Sequence, residues 1–452
     1  MFFPKKKIDD YGEYDRNNKE PRAFFGLSGN VEYCAKCVIS NQRPVSAQEF
    51  THSSKSKKST IQFKDGICSA CVFAEQKKRS IDWDHRDEQL RELCDRYRRS
   101  DGRYDCIVPG SGGKDSFFAA HVLKYKYGMN PLTITWAPNM YTPWGWYNME
   151  RWSNAGFDNV LVSPRRDVQR LFCRIALENL LHPFQAFQFG QKFLAPRLAK
   201  LHDVGLVFYG EHQAEYGNDL SETVNPSMNE KYFRSDLSEN DLLVGGVPLA
   251  ELRDRFELTE HDLKHYKPLT SREVESMDLE FHYLGYYLPW HPQGNYYYAV
   301  ENGGFQPAPE RLSGTYTKYC SLDDKMEEFN FYLQGVKFGL GWTSYNAAFE
   351  IRSGDLLRSE GAALVRKYDH EYPHRWLDDF LRYNSLSDIN LSNVADTFEY
   401  LDIDKTYFDD LVDTFRSPHI WVRDNDKWAL RLELPDAHFT DDNPLEWQGN
   451  QS

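Results

Sequence analysis

The chain has 452 residues, 40% of them apolar and 15% aromatic, with a formal net charge of −14. That length supports two or three domains with proper cores, and the apolar content excludes an intrinsically disordered chain. The acidic balance disfavours a protein that binds by neutralising nucleic-acid phosphates, because the basic runs at 77–80 and 95–103 are interleaved with Asp and Glu as on a solvated helix face.

Residues 1–30 are polar with little periodicity and read as a flexible N-terminal arm. They lack the apolar run of a signal peptide, and no stretch of the chain reaches spanning length. The expectation is a cytoplasmic protein without membrane insertion. Residues 31–85 carry Cys34, Cys37, Cys68 and Cys71, spaced C-x2-C-x30-C-x2-C. Two such knuckles bring four thiolates to one tetrahedral zinc, and a filled coordination sphere makes the site structural. A redox or sulfur-carrying CxxC would need one pair rather than two. Between the pairs, "SAQEFTHSSKSKKST" reads as an exposed Ser/Lys-rich loop, an insertion that costs little closure entropy.

A charged amphipathic helix over 86–99 leads into alternating elements. Strands are predicted at 104–109, 131–138, 159–164 and 204–210, with a fifth at 279–290. A helix follows the first strand to Tyr127, stopped by Gly128, and another covers 167–180. Strands alternating with helices imply an α/β fold with a parallel sheet covered on both faces. This assigns 100–300 to a nucleotide-binding domain and 301–452 to a mainly helical substrate or partner region.

The first strand ends in Pro109-Gly110-Ser111-Gly112-Gly113-Lys114-Asp115-Ser116. Glycines let the backbone approach an anion, the following helix offers free N–H groups, and Lys114, Ser111 and Ser116 add donors. The loop therefore reads as a phosphate cradle. It is not a Walker loop, since Val108 stands where the first glycine is required and Asp115 follows Lys114. Nor is it a dinucleotide fingerprint, whose third glycine is replaced by Asp115.

The remaining pattern, SGGxDS on a strand–loop–helix unit, resembles the PP-loop of the ATP pyrophosphatase superfamily, which cleaves ATP between its α- and β-phosphates. Together with the paired CxxC knuckles, "YGEHQAEYG" (209–217), "YYLPWHPQGNY" (286–296), "GTYTKYCSLDDK" (314–325) and "KFGLGWTSYNAAFEIRSGDL" (337–356), it resembles the N-acetyl sugar amidotransferases of bacterial surface polysaccharide, O-antigen lipopolysaccharide and nonulosonic-acid pathways. The likeness covers about 31–370, and the chain departs from it in its N-terminal arm, its C-terminal extension and His212-Gln213.

The resemblance implies a five-stranded parallel fold of the HUP, or adenine-nucleotide alpha hydrolase-like, type. It implies an ATP- and Mg²⁺-dependent carbon–nitrogen ligase that turns a nucleotide-linked sugar's N-acetyl group into an acetamidino group, releasing AMP and pyrophosphate. Pro109 to Ser116 would hold the phosphates, Gly210 would lie beside them, and backbone around Trp136 and Ala137 would face the adenine. Lys114 and Asp115 would serve catalysis, Asp115 through Mg²⁺. Glu211 and Glu215, four residues apart after the fourth strand, would share a helix face and bind Mg²⁺ or take a proton from ammonia, or else simply favour a helix N-terminus. Lys318, Asp323 and Asp324 are substrate candidates, although Ser321-x-x-Asp324 also reads as a capping box.

No cysteine sits in a nucleophile elbow, so ammonia is expected from a separate glutaminase subunit, with or without a cyclase-like channel subunit. The alternative is a tRNA-modifying PP-loop enzyme of the thiolase type, which would call for a basic face and a reactive cysteine pair.

Overall fold

The computed structural model describes residues 3, 7–219 and 224–435. Five strands form one sheet: β1 Cys106–Pro109, β2 Pro131–Trp136, β3 Asp158–Val162, β4 Leu206–Tyr209 and β5 Glu280–Tyr283. All are parallel, in the order β3-β2-β1-β4-β5, with Ile107 of β1 opposite both Leu132 and Val207. β2 is buried at every residue, which suits its Leu-Thr-Ile-Thr-Trp run to a strand covered on both faces.

The helices that matter to the site are α1 Ser69–Arg79, α2 Trp83–Tyr97, α3 Lys114–Tyr125, α4 Pro143–Asn154, α5 Arg166–Leu180, α6 Gln185–His202, α7 Pro292–Gly303, α8 Glu327–Phe338, α9 Trp342–Ser353 and α10 Arg358–Tyr368. Strand alternation sorts the two core layers. Cys106 and Val108 face a layer with Phe117 of α3, Met149 and Trp152 of α4 and Ala299 of α7. Ile107 faces the opposite layer, with Leu171 and Ile175 of α5 and Phe193 of α6.

The fifth strand is shorter than the expected 279–290: after Tyr283 the chain turns through a single helical turn, Leu284–Tyr287. The turn is fixed because the Gly285 N–H donates to the Gly210 carbonyl at 2.9 Å, bending the chain over the end of β4.

The cysteine module packs on the C-terminal helices through Val38 and Ile39, which meet Ala347 and Ala348 of α9 and Ala362 of α10. Its Ser/Lys-rich segment is not the exposed loop expected. Phe50 is only 2% exposed and packs on Phe193, and Gln185 of α6 donates to the Glu49 carbonyl. One aromatic residue anchors an otherwise polar stretch inside the protein. Within 1–30, Tyr14 is buried, donates to the Arg416 carbonyl at 2.9 Å and meets Trp428 edge-on. Trp428 belongs to a hairpin, Trp421–Asp424 with Lys427–Leu430, in the otherwise helical C-terminal region. The final stretch assigned to that region, 436–452, lies outside the described residues. Among the described residues no helix is long and apolar enough to cross a membrane.

Candidate functional site

In the order β3-β2-β1-β4-β5, the chain leaves β1 toward one side of the sheet and β4 toward the other. Loops after two such strands diverge and open a crevice at their carboxyl ends. The loop after β1 is Gly110 to Gly113, and the loop after β4 begins Gly210-Glu211. Their meeting is thus a consequence of strand order.

Gly112 has φ +83, and a Cβ there would lie 2.8 Å from the Met149 backbone nitrogen and the Asn148 carbonyl oxygen of α4. A Cβ on Gly110 would stand 2.2 Å from the Ser116 Cβ. Gly113 differs, since its Cβ would have only the Ser111 hydroxyl within 4 Å, at 3.9 Å. It is the N-cap of α3 without a side-chain cap, so the first-turn N–H groups face the crevice. Two of the glycines are demanded by packing; the third keeps space open.

A cavity of about 280 Å³ lies on this loop, lined by Gly110 to Ser116 with Asn148, Glu211, Asp323 and Glu327. A second cavity of about 660 Å³ shares Lys114, Asp115, Gln191, Glu211, Tyr319 and Glu327 with it, so the two form one chamber. At the shared wall Lys114, 5% exposed, pairs with Asp115 at 2.5 Å. The other Asp115 oxygen accepts from Asn295 of α7 at 3.0 Å. Despite burial, Asp115 raises the Lys114 pKa, so the ammonium is retained. Burial, followed by the Asp115 charge, pushes Glu211 up to about 7, while Tyr216 donates to it at 3.0 Å. Burial and then Asp323 raise Glu327. Burial also raises Asp323, opposed by the Ser111 hydroxyl. This end of the chamber has five carboxyl groups, Asp324 being the fifth, and one ammonium. Hard oxygen ligands in such excess suit a divalent cation of the Mg²⁺ type.

The other expected residues are placed differently. Glu211 and Glu215 share no helix face: only Gln213–Tyr216 is helical, as a short 3-10 turn. Glu215 is 3% exposed and pairs with Lys77 of α1, whose ammonium also donates to the Trp290 carbonyl at 2.9 Å. It ties the cysteine module to the sheet edge and lines neither cavity. Trp136 is buried beneath Gly190 of α6, where a Cβ would strike its indole at 2.0 Å, and the Ala137 N–H donates to Val162. Gly210 packs under Trp290 and accepts from Gly285. None of these three lines either cavity.

Lys318 is exposed and donates to the Pro309 carbonyl. Asp323 and Asp324 do line the loop cavity. Asp324 makes no capping box, because the helix starts only at Glu327. Its carboxylate accepts from the backbone of Asn139 at 2.6 Å, Met140 at 3.1 Å and Met326 at 3.0 Å, which holds the loop after β2. Lys58, Lys192, Lys337, Glu49 and Glu350 also line the chamber; Lys337 and Glu350 fall within the quoted 337–356 stretch, and the other three carry no motif that marks them in the sequence.

The four cysteines Cys34, Cys37, Cys68 and Cys71 are buried together, with all four Sγ atoms within 4.8 Å of one another. Tetrahedral zinc with Zn–S of about 2.3 Å requires sulfur atoms about 3.8 Å apart. Cys34 and Cys71 are separated by 3.9 Å and Cys37 and Cys68 by 3.7 Å. The N–H groups of Lys36 and Cys68 point at the Cys34 sulfur, as they would at a thiolate. The set fits one structural zinc and leaves no thiolate pair spare.

Residues 313–434 match the family described as the LPS biosynthesis protein WbpG-like, C-terminal domain. The match supports a polysaccharide biosynthesis protein. It covers Tyr319, Asp323, Asp324, Glu327 and Glu350 of the chamber, and continues past 370 through the segment expected as an extension. Over 83 residues the chain is 32% identical to an uncharacterized protein of Methanocaldococcus jannaschii, covering 18% of this chain and 29% of that protein.

Proposed function

We propose that the chain is an ATP-dependent amidotransferase that converts the N-acetyl group of a nucleotide-linked sugar into an acetamidino group, with ammonia from a partner glutaminase. The observation that carries this reading is the continuity of the glycine-loop cavity with the larger chamber, Lys114, Asp115 and Glu211 lining both. One cavity fits the phosphates and the other has room for a large polar acceptor.

An amide carbon is a poor electrophile and its oxygen a poor leaving group. Attack of the amide oxygen on the α-phosphate forms an O–P bond and expels pyrophosphate; loss of the amide proton leaves an O-adenylyl imidate. Ammonia then adds to the imidate carbon, sheds a proton, and the C–O bond breaks to release AMP and the amidine. The loop N–H groups and Lys114 hold the departing diphosphate, which contributes positioning and charge stabilisation. Asp115 would hold Mg²⁺, which supplies neutralisation of the triphosphate. Glu211, with its affinity for protons raised to near neutrality, suits the removal of a proton from adding ammonia.

The test is incubation with ATP, Mg²⁺, ammonium and a panel of nucleotide-linked diacetamido sugars. The expected product has NH in place of O, with stoichiometric AMP. ATP binding without turnover of any acceptor would instead indicate a nucleotide-binding scaffold.

A further inference from the structure

The chamber wall away from the glycine loop carries a second charge cluster that the proposed chemistry leaves unused. Lys58, Lys192 and Lys337 line it together with His182, and Glu49 is the carboxylate among them. Glu49 already accepts from His52 at 3.3 Å and lies 3.5 Å from His182. Lys337 is 5% exposed and donates to the Leu180 carbonyl at 2.7 Å. Lys58 has His52 at 3.3 Å. Lys192 makes no ion pair among the described residues; its ammonium lies 5.5 Å from the Tyr209 ring and 6.0 Å from that of Tyr232. Three lysine side chains thus line one recess with Glu49 as the carboxylate among them. A buried excess of like charge is costly unless an opposite charge joins it.

The opposite end of the chamber has the inverse balance, with Asp115, Glu211, Asp323 and Glu327 around Lys114. Burial lowers the pKa of Lys58, Lys192 and Lys337, and both Glu211 and Glu49 pull that of Lys192 back up. Gln191, next to Lys192 in the chain, lines both cavities, which sets Lys192 near their junction.

We infer that Lys58, Lys192 and Lys337 form an anion subsite for the acceptor, and that the zinc module is a substrate-binding element because it supplies Lys58. The ligand chemistry is an oxyanion, either the phosphate of a sugar phosphate or nucleotide sugar, or the carboxylate of an acidic sugar. Only the word acceptor rests on the amidotransferase reading. The recess itself is independent of it. The module enters through Phe50, which fixes the Ser/Lys-rich segment against α6 and so holds Lys58 at the wall.

The experiment is calorimetric titration of the full-length zinc-loaded protein with UDP-N-acetylglucosamine, N-acetylglucosamine 1-phosphate, N-acetylneuraminic acid and neutral N-acetylglucosamine. The parent protein is compared with Lys192→Gln and Lys58→Gln, whose side chains face the cavity. At least one charged probe is expected to bind and the neutral sugar not. Each substitution should weaken that probe by about tenfold or more, the worth of one charge-assisted hydrogen bond. Which probe binds identifies phosphate or carboxylate as the source. Unchanged affinity in both variants, or no binding of any charged probe to the parent, overturns the inference. ATP binding, measured on the same samples, reports on the glycine loop separately. A parent that binds no ATP, yet loses its anionic probe on Lys192→Gln, refutes the loop reading and leaves the subsite standing.

Discussion

Gly112 lies so close to Met149 that a Cβ on the glycine would stand 2.8 Å from the Met149 backbone nitrogen, and its φ of +83 is one that L side chains rarely adopt. Gly113, the next residue, has open space where its Cβ would be. The two glycines should fail in different ways. Gly112→Ala is expected to cost about 1–3 kcal/mol of stability from backbone strain, more if α4 must shift. Gly113→Ala should unfold like the parent and, on the proposed reading, bind ATP more weakly, because its methyl group enters the open space at the loop. Thermal unfolding and ATP titration on both variants check this. Equal stability losses would remove the argument that Gly113 exists for a ligand.

Glu211 gives a pH signature. Its pKa of about 7 in the folded chain exceeds the ordinary 4.5. Between those values the folded protein keeps a proton that the unfolded chain has lost, so stability falls as pH rises through that window. Glu211→Gln should remove this slope, gaining stability relative to the parent above pH of about 7. The same carboxylate should give kcat/KM a rising limb near neutrality, and the variant should lose about 100-fold or more in activity. Denaturant unfolding at several pH values, with matching rate profiles, reads both effects.

Glu215, expected in catalysis, is instead one half of a buried ion pair with Lys77. Lys77→Met alone should cost about 3–5 kcal/mol, because it strands a carboxylate 3% exposed. Lys77→Met with Glu215→Gln should recover much of that loss and retain turnover. A double variant that is stable but inactive would return Glu215 to the reaction.

Zinc should be stoichiometric with the chain and structural. Its removal by a strong chelator is expected to destabilise the module and, with it, the chamber wall built from Arg43, Glu49, Phe50 and Lys58. Metal analysis and unfolding before and after chelation test this. Unchanged unfolding without zinc would contradict a structural role.

Much of the glycine-loop end of the chamber was legible because its signal is local. Pro109 to Ser116 is one continuous run, and the glycines, lysine and helix start specify one another within eight positions. The partnership of that loop with Glu211 was not written in any period, since it depends on β1 and β4 being neighbours. Spacing misled at Glu215, because the four-residue rule assumes a helix and the chain there makes only a 3-10 turn. It misled again at Asp324, which holds the Asn139 and Met140 amides rather than capping a helix. Lys58 of the basic recess was hidden in a stretch whose composition resembles a solvated loop, and one buried aromatic, Phe50, decides otherwise.

The most direct test follows the oxygen atom. An acceptor sugar labelled with oxygen-18 in its N-acetyl carbonyl is turned over with ATP and ammonium in unlabelled water, and the nucleotide product is weighed. Transfer of adenylate onto that oxygen requires the label to leave in the phosphate of AMP. Unlabelled AMP, or ADP in its place, would contradict the account.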